Sequence, residues 1–248
     1  MSFNDEDFIR LLEYYKNQNN FHIKSKIPYD TVGNISKSGS DLPFIENSNF
    51  YMFDFDNLSY NANLRDNGKP KRNLPASCDG LYFDKENKTV YFFEFKNLPL
   101  KSIDYKHELK SIINELKSGY GISNNIIEKL NEIYSRFEDE IICKLKIKTN
   151  DSLFFCLPII YESYCEKNGL NFNQCQNDFM LWILNSNKKF IFVFADNTEI
   201  SPSNTHFSFD IRLRDKLKHF ENIARIKTII VNKTHFENHL PFKDFDKS

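Results

Sequence analysis

The segment Val90-Tyr91-Phe92-Phe93-Glu94-Phe95-Lys96 constrains this chain more than any other. At the two-residue period of a strand, Tyr91, Phe93 and Phe95 point to one face, and Val90, Phe92, Glu94 and Lys96 to the other. Both faces are apolar until the last two positions of the second. Such a strand belongs at the centre of a sheet covered on both sides. A second run, Phe190-Ile191-Phe192-Val193-Phe194, has the same character. A sheet with two covered faces needs layers of helix around it, which places the chain in the α/β class.

The flanking sequence supplies those layers. Phe8, Leu11, Leu12 and Tyr15 fall at i, i+3, i+4 and i+7, predicting a helix from Asp5 to Gln18 with acidic residues in its first turn. Further helices are expected at Ile103 to Lys117, Asn124 to Cys143, Gln174 to Leu184 and Phe209 to Ala224. Strands are expected at Phe50 to Phe55, Asp79 to Asp84, Lys88 to Lys96, Ser152 to Tyr161, Lys189 to Ala195 and Ile226 to Val231. The turn Asp84-Lys85-Glu86-Asn87 makes the second and third of these a hairpin. Ser25 to Asp41 and Asn57 to Pro75 read as loops. With 248 residues and no Pro- or Ser-rich linker, one domain spanning residues 1–248 is expected.

Composition narrows the function. The chain has seven glycines and contains no G-x-G-x-x-G, no phosphate-binding G-x-x-x-x-G-K-[ST] and no G-x-S-x-G. A net charge of -1 argues against a globally basic nucleic-acid binder, while leaving room for a local patch. The five cysteines form no C-x-x-C pair and read as reduced thiols. The acidic start Met1-Ser2-Phe3-Asn4-Asp5-Glu6-Asp7 has no apolar signal region, and the longest apolar run, Leu153 to Ile160, is too short to span a bilayer. A cytoplasmic protein without membrane association is expected.

The chemistry concentrates where the central strand ends. Glu94 and Lys96 share its last face, and antiparallel pairing brings Asp79, at the start of the neighbouring strand, opposite Glu94. Two carboxylates in one small volume repel unless a cation lies between them. Oxygen-only ligation of this kind suits Mg²⁺ or Mn²⁺.

An Asp followed fifteen positions later by Glu-x-Lys at the end of an apolar strand resembles the PD-(D/E)xK nuclease superfamily. The resemblance covers residues 76–97 and extends more loosely to the order of the flanking elements. It implies a restriction-endonuclease-like fold, a central mixed sheet flanked by helices. It also implies a metal held by Asp79, Glu94 and the backbone carbonyl of Phe95, with Lys96 orienting or deprotonating the attacking water. Cys78 stands where the family commonly has Pro. Many members add an acidic residue from the first helix; Glu13 is the candidate, with Glu6 and Glu46 as competitors. The implied activity is metal-dependent hydrolysis of phosphodiester bonds, with DNA the expected substrate, in defence, restriction or repair. A homodimer is compatible with it, since nucleases that cut both strands are often dimers. The alternative is a catalytically inactive module of the same fold that binds nucleic acid or a protein.

Other features carry weaker signals. Asp54 and Asp56 read either as extra metal ligands or as the fraying end of a strand. The loop Lys69-Pro70-Lys71-Arg72 and the lysines Lys101, Lys106 and Lys110 are candidate phosphate contacts. His235 and His239 are four apart but lack the His-Glu-x-x-His arrangement of a zinc site.

Overall fold

A computed structural model describes residues 2–17, 29–37, 44–46, 48–65, 67–99, 124–195, 215–218, 222 and 224–239. Within them the chain forms a six-stranded mixed sheet flanked by helices. Its strands are β1 (Tyr29–Thr31), β2 (Tyr51–Asp54), β3 (Gly80–Asp84), β4 (Thr89–Pro99), β5 (Asn187–Ala195) and β6 (Ile226–Asn232). They lie side by side in sequence order. β1 to β4 pair antiparallel, whereas β5 runs parallel to β4, and β6 parallel to β5. A parallel neighbour needs a long crossover, and the described residues between β4 and β5 contribute three α-helices to it. These are α4 (Asn124–Asp151), α5 (Leu157–Lys167) and α6 (Phe172–Asn185). Elsewhere the described residues form α1 (Asp5–Asn17), α2 (Val32–Ile35), α3 (Phe55–Ala62) and α7 (Lys233–Asn238), and 215–218 are also helical.

The alternation of β4 divides the core in two. Val90 and Phe92, with Phe190, Phe192 and Phe194 of β5, face a large cluster built with α1, α3, α5 and α6. Tyr91, Phe93 and Phe95 face a smaller one with Ile191, Val193, Ile229 and Phe236. Phe92 and Phe190 stack with ring centroids 4.5 Å apart across the parallel β4–β5 pair. Phe8, Leu11, Leu12 and Tyr15 are the buried face of α1, as their spacing predicts, and the Tyr15 hydroxyl donates to the Ile160 carbonyl at 2.9 Å.

Several expectations are corrected. Ser152 to Tyr161 is helical: a π-helical turn (Ser152–Cys156) runs directly into α5. The reason lies in the period. Leu153, Cys156, Leu157 and Ile160 are all buried and spaced i, i+3, i+4 and i+7, a helical stripe inside a run that is apolar almost throughout. Pro158 sits in the first turn of α5, just after the wide turn has already broken the i→i−4 ladder, so its missing N–H is tolerated there. Asn57 to Pro75 contains a helix as well as loop, because the Asp54 carboxylate accepts from the Asn57 N–H at 2.9 Å and caps α3. Ser25 to Asp41 contains β1 and α2, with Thr31 as the N-cap. The helix predicted to end at Cys143 continues to Asp151. The predicted helix Ile103 to Lys117 lies outside the described residues, as does most of Phe209 to Ala224, of which 215–218 are helical.

Candidate active site

Asp79, Glu94 and Lys96 meet along the second half of β4, which runs on past the predicted end at Lys96 to Pro99. The β3–β4 ladder ends with Gly80 opposite Phe93. One step further, the Asp79 carboxylate takes over from the backbone: its Oδ2 accepts from the Phe95 N–H at 2.7 Å. The Asp79 carbonyl meanwhile accepts from the Phe55 N–H at 2.9 Å, tying the segment to the start of α3. Glu94 projects from the face of β4 that meets the large core, and it is only 1% exposed. Lys96, two residues on and on the same face, pairs with Glu94 Oε1.

A fourth member was not foreseen. Lys148, in the last turn of α4, places its Nζ 2.8 Å from Glu94 Oε2 and 3.4 Å from Asp79 Oδ1. In the sequence it looks like one of several solvated lysines, beside Lys144 and Lys146. The available signal was the buried stripe Ile142, Leu145, Thr149 and Ser152, which carries the helical period past Cys143 and puts Lys148 on its flank.

The segment before Asp79 is fixed by the π-helical turn. Ser152 Oγ accepts from the Cys78 N–H at 2.9 Å, and Asp151 Oδ2 accepts from the Ala76 N–H at 3.2 Å. Both Cys78 and Ser152 are fully buried. Ser152→Ala therefore strands a buried donor, and we expect it to cost about 1–3 kcal/mol in urea unfolding. A change below the error of that measurement would show that the Ser152 bond does not hold the segment.

The electrostatics follow from burial. Burial pushes the Glu94 carboxyl up to about 7; the Asp79 charge adds to this, and Lys148 and Lys96 oppose it without overcoming it. Burial disfavours the Lys148 ammonium, yet the charges of Asp79 and then Glu94 outweigh that and raise it. Burial, followed by the Glu94 charge, pushes the Cys78 thiol well up, so it is a neutral packing group and not a nucleophile. Asp56 stands in the first turn of α3 and hydrogen-bonds Ser77 Oγ. Burial pushes it up to about 6, with Asp79 contributing. Asp54 is occupied as the cap of α3.

The structure does not bring the helix acids to this cluster. Glu13 pairs with Lys85 at 3.0 Å, at the hairpin-turn end of β3 and β4. There it lines a cavity of about 430 Å³ with Tyr29, Tyr82 and Glu86. Glu46 is exposed and pairs with Lys233 at 3.2 Å. Glu6 is exposed in the first turn of α1. Lys71 and Arg72 pair with Glu166 and Glu162 of α5, so these cations of the 69–72 loop are already spent on carboxylates. Lys101, Lys106 and Lys110 lie outside the described residues. His235 and His239 stack with centroids 4.1 Å apart.

The donor chemistry of the cluster fits a hard divalent ion. Asp79 and Glu94 present carboxylate oxygens, and the buried Glu94 Oε1 has no hydrogen bond of acceptable geometry despite its Lys96 pairing. The N–H and carbonyl of one strand residue face the same edge, so the Phe95 carbonyl opens toward Asp79 as well. Among the described residues, no group of three or more His, Cys, Asp or Glu side chains is placed to hold a metal ion. Two carboxylates and a carbonyl would leave the rest of the shell to water, as Mg²⁺ commonly does. Comparison with family models, curated proteins and solved structures finds no match. The assignment of chemistry therefore rests on these residues. Among the described residues, no helix is long and apolar enough to cross a membrane.

Proposed function

We propose that the protein is a Mg²⁺- or Mn²⁺-dependent nuclease of the PD-(D/E)xK type, hydrolysing phosphodiester bonds, with DNA as substrate. The observation that carries this is the buried Glu94 beside Asp79 and Lys96 on a central strand. A carboxylate kept at 1% exposure beside a second carboxylate is costly to fold around, and a catalytic use accounts for that cost. The order of elements supports the same reading: a helix, an antiparallel meander carrying the acids, a helical crossover and a parallel strand.

In this reading Asp79, Glu94 and the Phe95 carbonyl hold the ion. When bound, it neutralises the charge that builds on the phosphate. The Phe95 N–H fixes the Asp79 carboxylate, so that ligand enters the reaction already oriented. Lys96 is one-third exposed, whereas the Glu94 it pairs with is buried. From there Lys96 can orient the attacking water and meet the phosphate oxygens.

A second reading, an inactive module of the same fold binding nucleic acid or protein, is favoured by one feature. The two carboxylates are already balanced by two ammonium groups. Incubating the purified chain with plasmid, single-stranded DNA and RNA in Mg²⁺, Mn²⁺ or EDTA separates the two. The nuclease is expected to cut in a divalent ion and not in EDTA. Equal outcomes in metal and EDTA on every substrate would move the assignment to the binding module.

A further inference from the structure

We propose that Lys148 is the resident cation of the metal seat, and that a divalent ion binds Asp79 and Glu94 only as Lys148 withdraws. This inference rests on the proposed nuclease function.

Three observations lead to it. First, Nζ of Lys148 bridges one oxygen from each carboxylate, at 2.8 Å and 3.4 Å, which is the position from which one cation neutralises both. Second, the charge count is closed: Asp79 and Glu94 against Lys148 and Lys96. A doubly charged ion at the same oxygens would lie within a few Å of an ammonium, and the two repel strongly at the reduced dielectric of a half-buried site. Third, Lys148 is free to leave. It hangs from the end of α4 on a four-carbon stem, and its side chain is 23% exposed, against 1% for Glu94. The carboxylates cannot follow: Asp79 is held by the Phe95 N–H, and Glu94 is enclosed by the core.

Lys96 does not play this part. Among the described residues its ion pair is with Glu94 Oε1, and its side chain is 34% exposed. Among the described residues, Lys148 is the cation that spans the pair. The metal-free protein is thereby spared an unbalanced carboxylate pair, and the seat stays assembled while it waits for its ion.

Mn²⁺ binding to the metal-stripped full chain tests this, read from the loss of free-ion paramagnetic resonance at about pH 8.5, where carboxylates are ionised. Lys148→Met removes the competing charge at similar length. It is expected to tighten Mn²⁺ binding about tenfold or more, a usual size for coupling between two ligands of one seat. Lys148→Arg keeps the charge and adds a fork that grips carboxylates, so it should bind no more tightly than wild type. Asp79→Asn should lose the site. Unchanged or weaker Mn²⁺ binding in Lys148→Met, with wild type binding normally, would overturn the role of Lys148 and leave the nuclease assignment standing. No binding by either protein would overturn the metal site itself. Should Lys148→Met fail to fold, the wild type gives the answer by ¹⁵N-lysine resonance. The ion-paired Lys148 ammonium signal should vanish on saturation with Mg²⁺, and its persistence would contradict displacement.

Discussion

Glu94→Gln is expected to lower cleavage about 10³-fold and, at pH 8, to make the metal-free protein more stable than wild type. Both effects come from the same charge. Gln keeps the volume and one acceptor oxygen for Lys148, but it cannot act as a charged ligand. The sign of the stability effect follows from the raised Glu94 pKa. In the unfolded chain Glu94 titrates near its ordinary value of 4.5; in the folded protein it titrates near 7. Protonated Glu94 therefore favours the fold. That contribution is fully present below about pH 4.5 and is lost as pH rises through about 7. Its size is of the order of a few kcal/mol, because the group is almost wholly buried and solvent screens it little. Gln mimics the protonated form at every pH. Urea unfolding should show the variant gaining on wild type between pH 5 and pH 8 and no advantage at pH 4. The opposing effect is that Lys148 loses one of its two carboxylates. It keeps Asp79 and partial contact with water, so the loss is the smaller of the two. A Glu94→Gln protein several kcal/mol less stable at pH 8 would mean that the ion pairs outweigh desolvation, and that the cluster is structural.

Much of the sheet was legible because its signal is redundant. Phe190 to Phe194 and Val90 to Phe93 are apolar on both faces, and no helix of ordinary amphipathicity reads that way. Ser152 to Tyr161 misled for the same reason. A helix buried on most sides is also apolar nearly throughout, and only the buried positions Leu153, Cys156, Leu157 and Ile160 show which period holds. Part of the site was legible too. Asp79, Glu94 and Lys96 lie on one hairpin, whose register follows from its turn, so local sequence is enough to bring them together. Lys148 is fifty-four residues from Glu94, on a helix whose end was misplaced. The local stripe Ile142, Leu145, Thr149 and Ser152 carries the helix past Cys143, but it does not show that Lys148 meets Glu94, because that contact is tertiary. Glu13 fails for a related reason. α1 packs with Phe8 beside Phe83, near the hairpin turn, so an acid pointing off its buried face reaches Lys85 and not the far end of the strands.

Lys96→Ala should reduce kcat about 10²–10⁴-fold while changing Mn²⁺ affinity by a much smaller factor. The division follows from what Lys96 touches. It contacts one oxygen of one carboxylate and makes no contact with Asp79 among the described pairs, so the ligand geometry does not depend on it. Its removal takes away a charge that repels an incoming cation, and also a charge that helps neutralise Glu94. These two effects on metal affinity oppose each other. No such cancellation protects the reaction. In the proposed reaction, the developing charge on the phosphate would lose a partly exposed ammonium, and the attacking water the group proposed to orient it. A metal titration and a single-turnover cleavage assay on the same preparation separate the two quantities. Loss of metal binding in parallel with loss of rate would make Lys96 a part of the seat instead. An undiminished rate would remove Lys96 from the reaction.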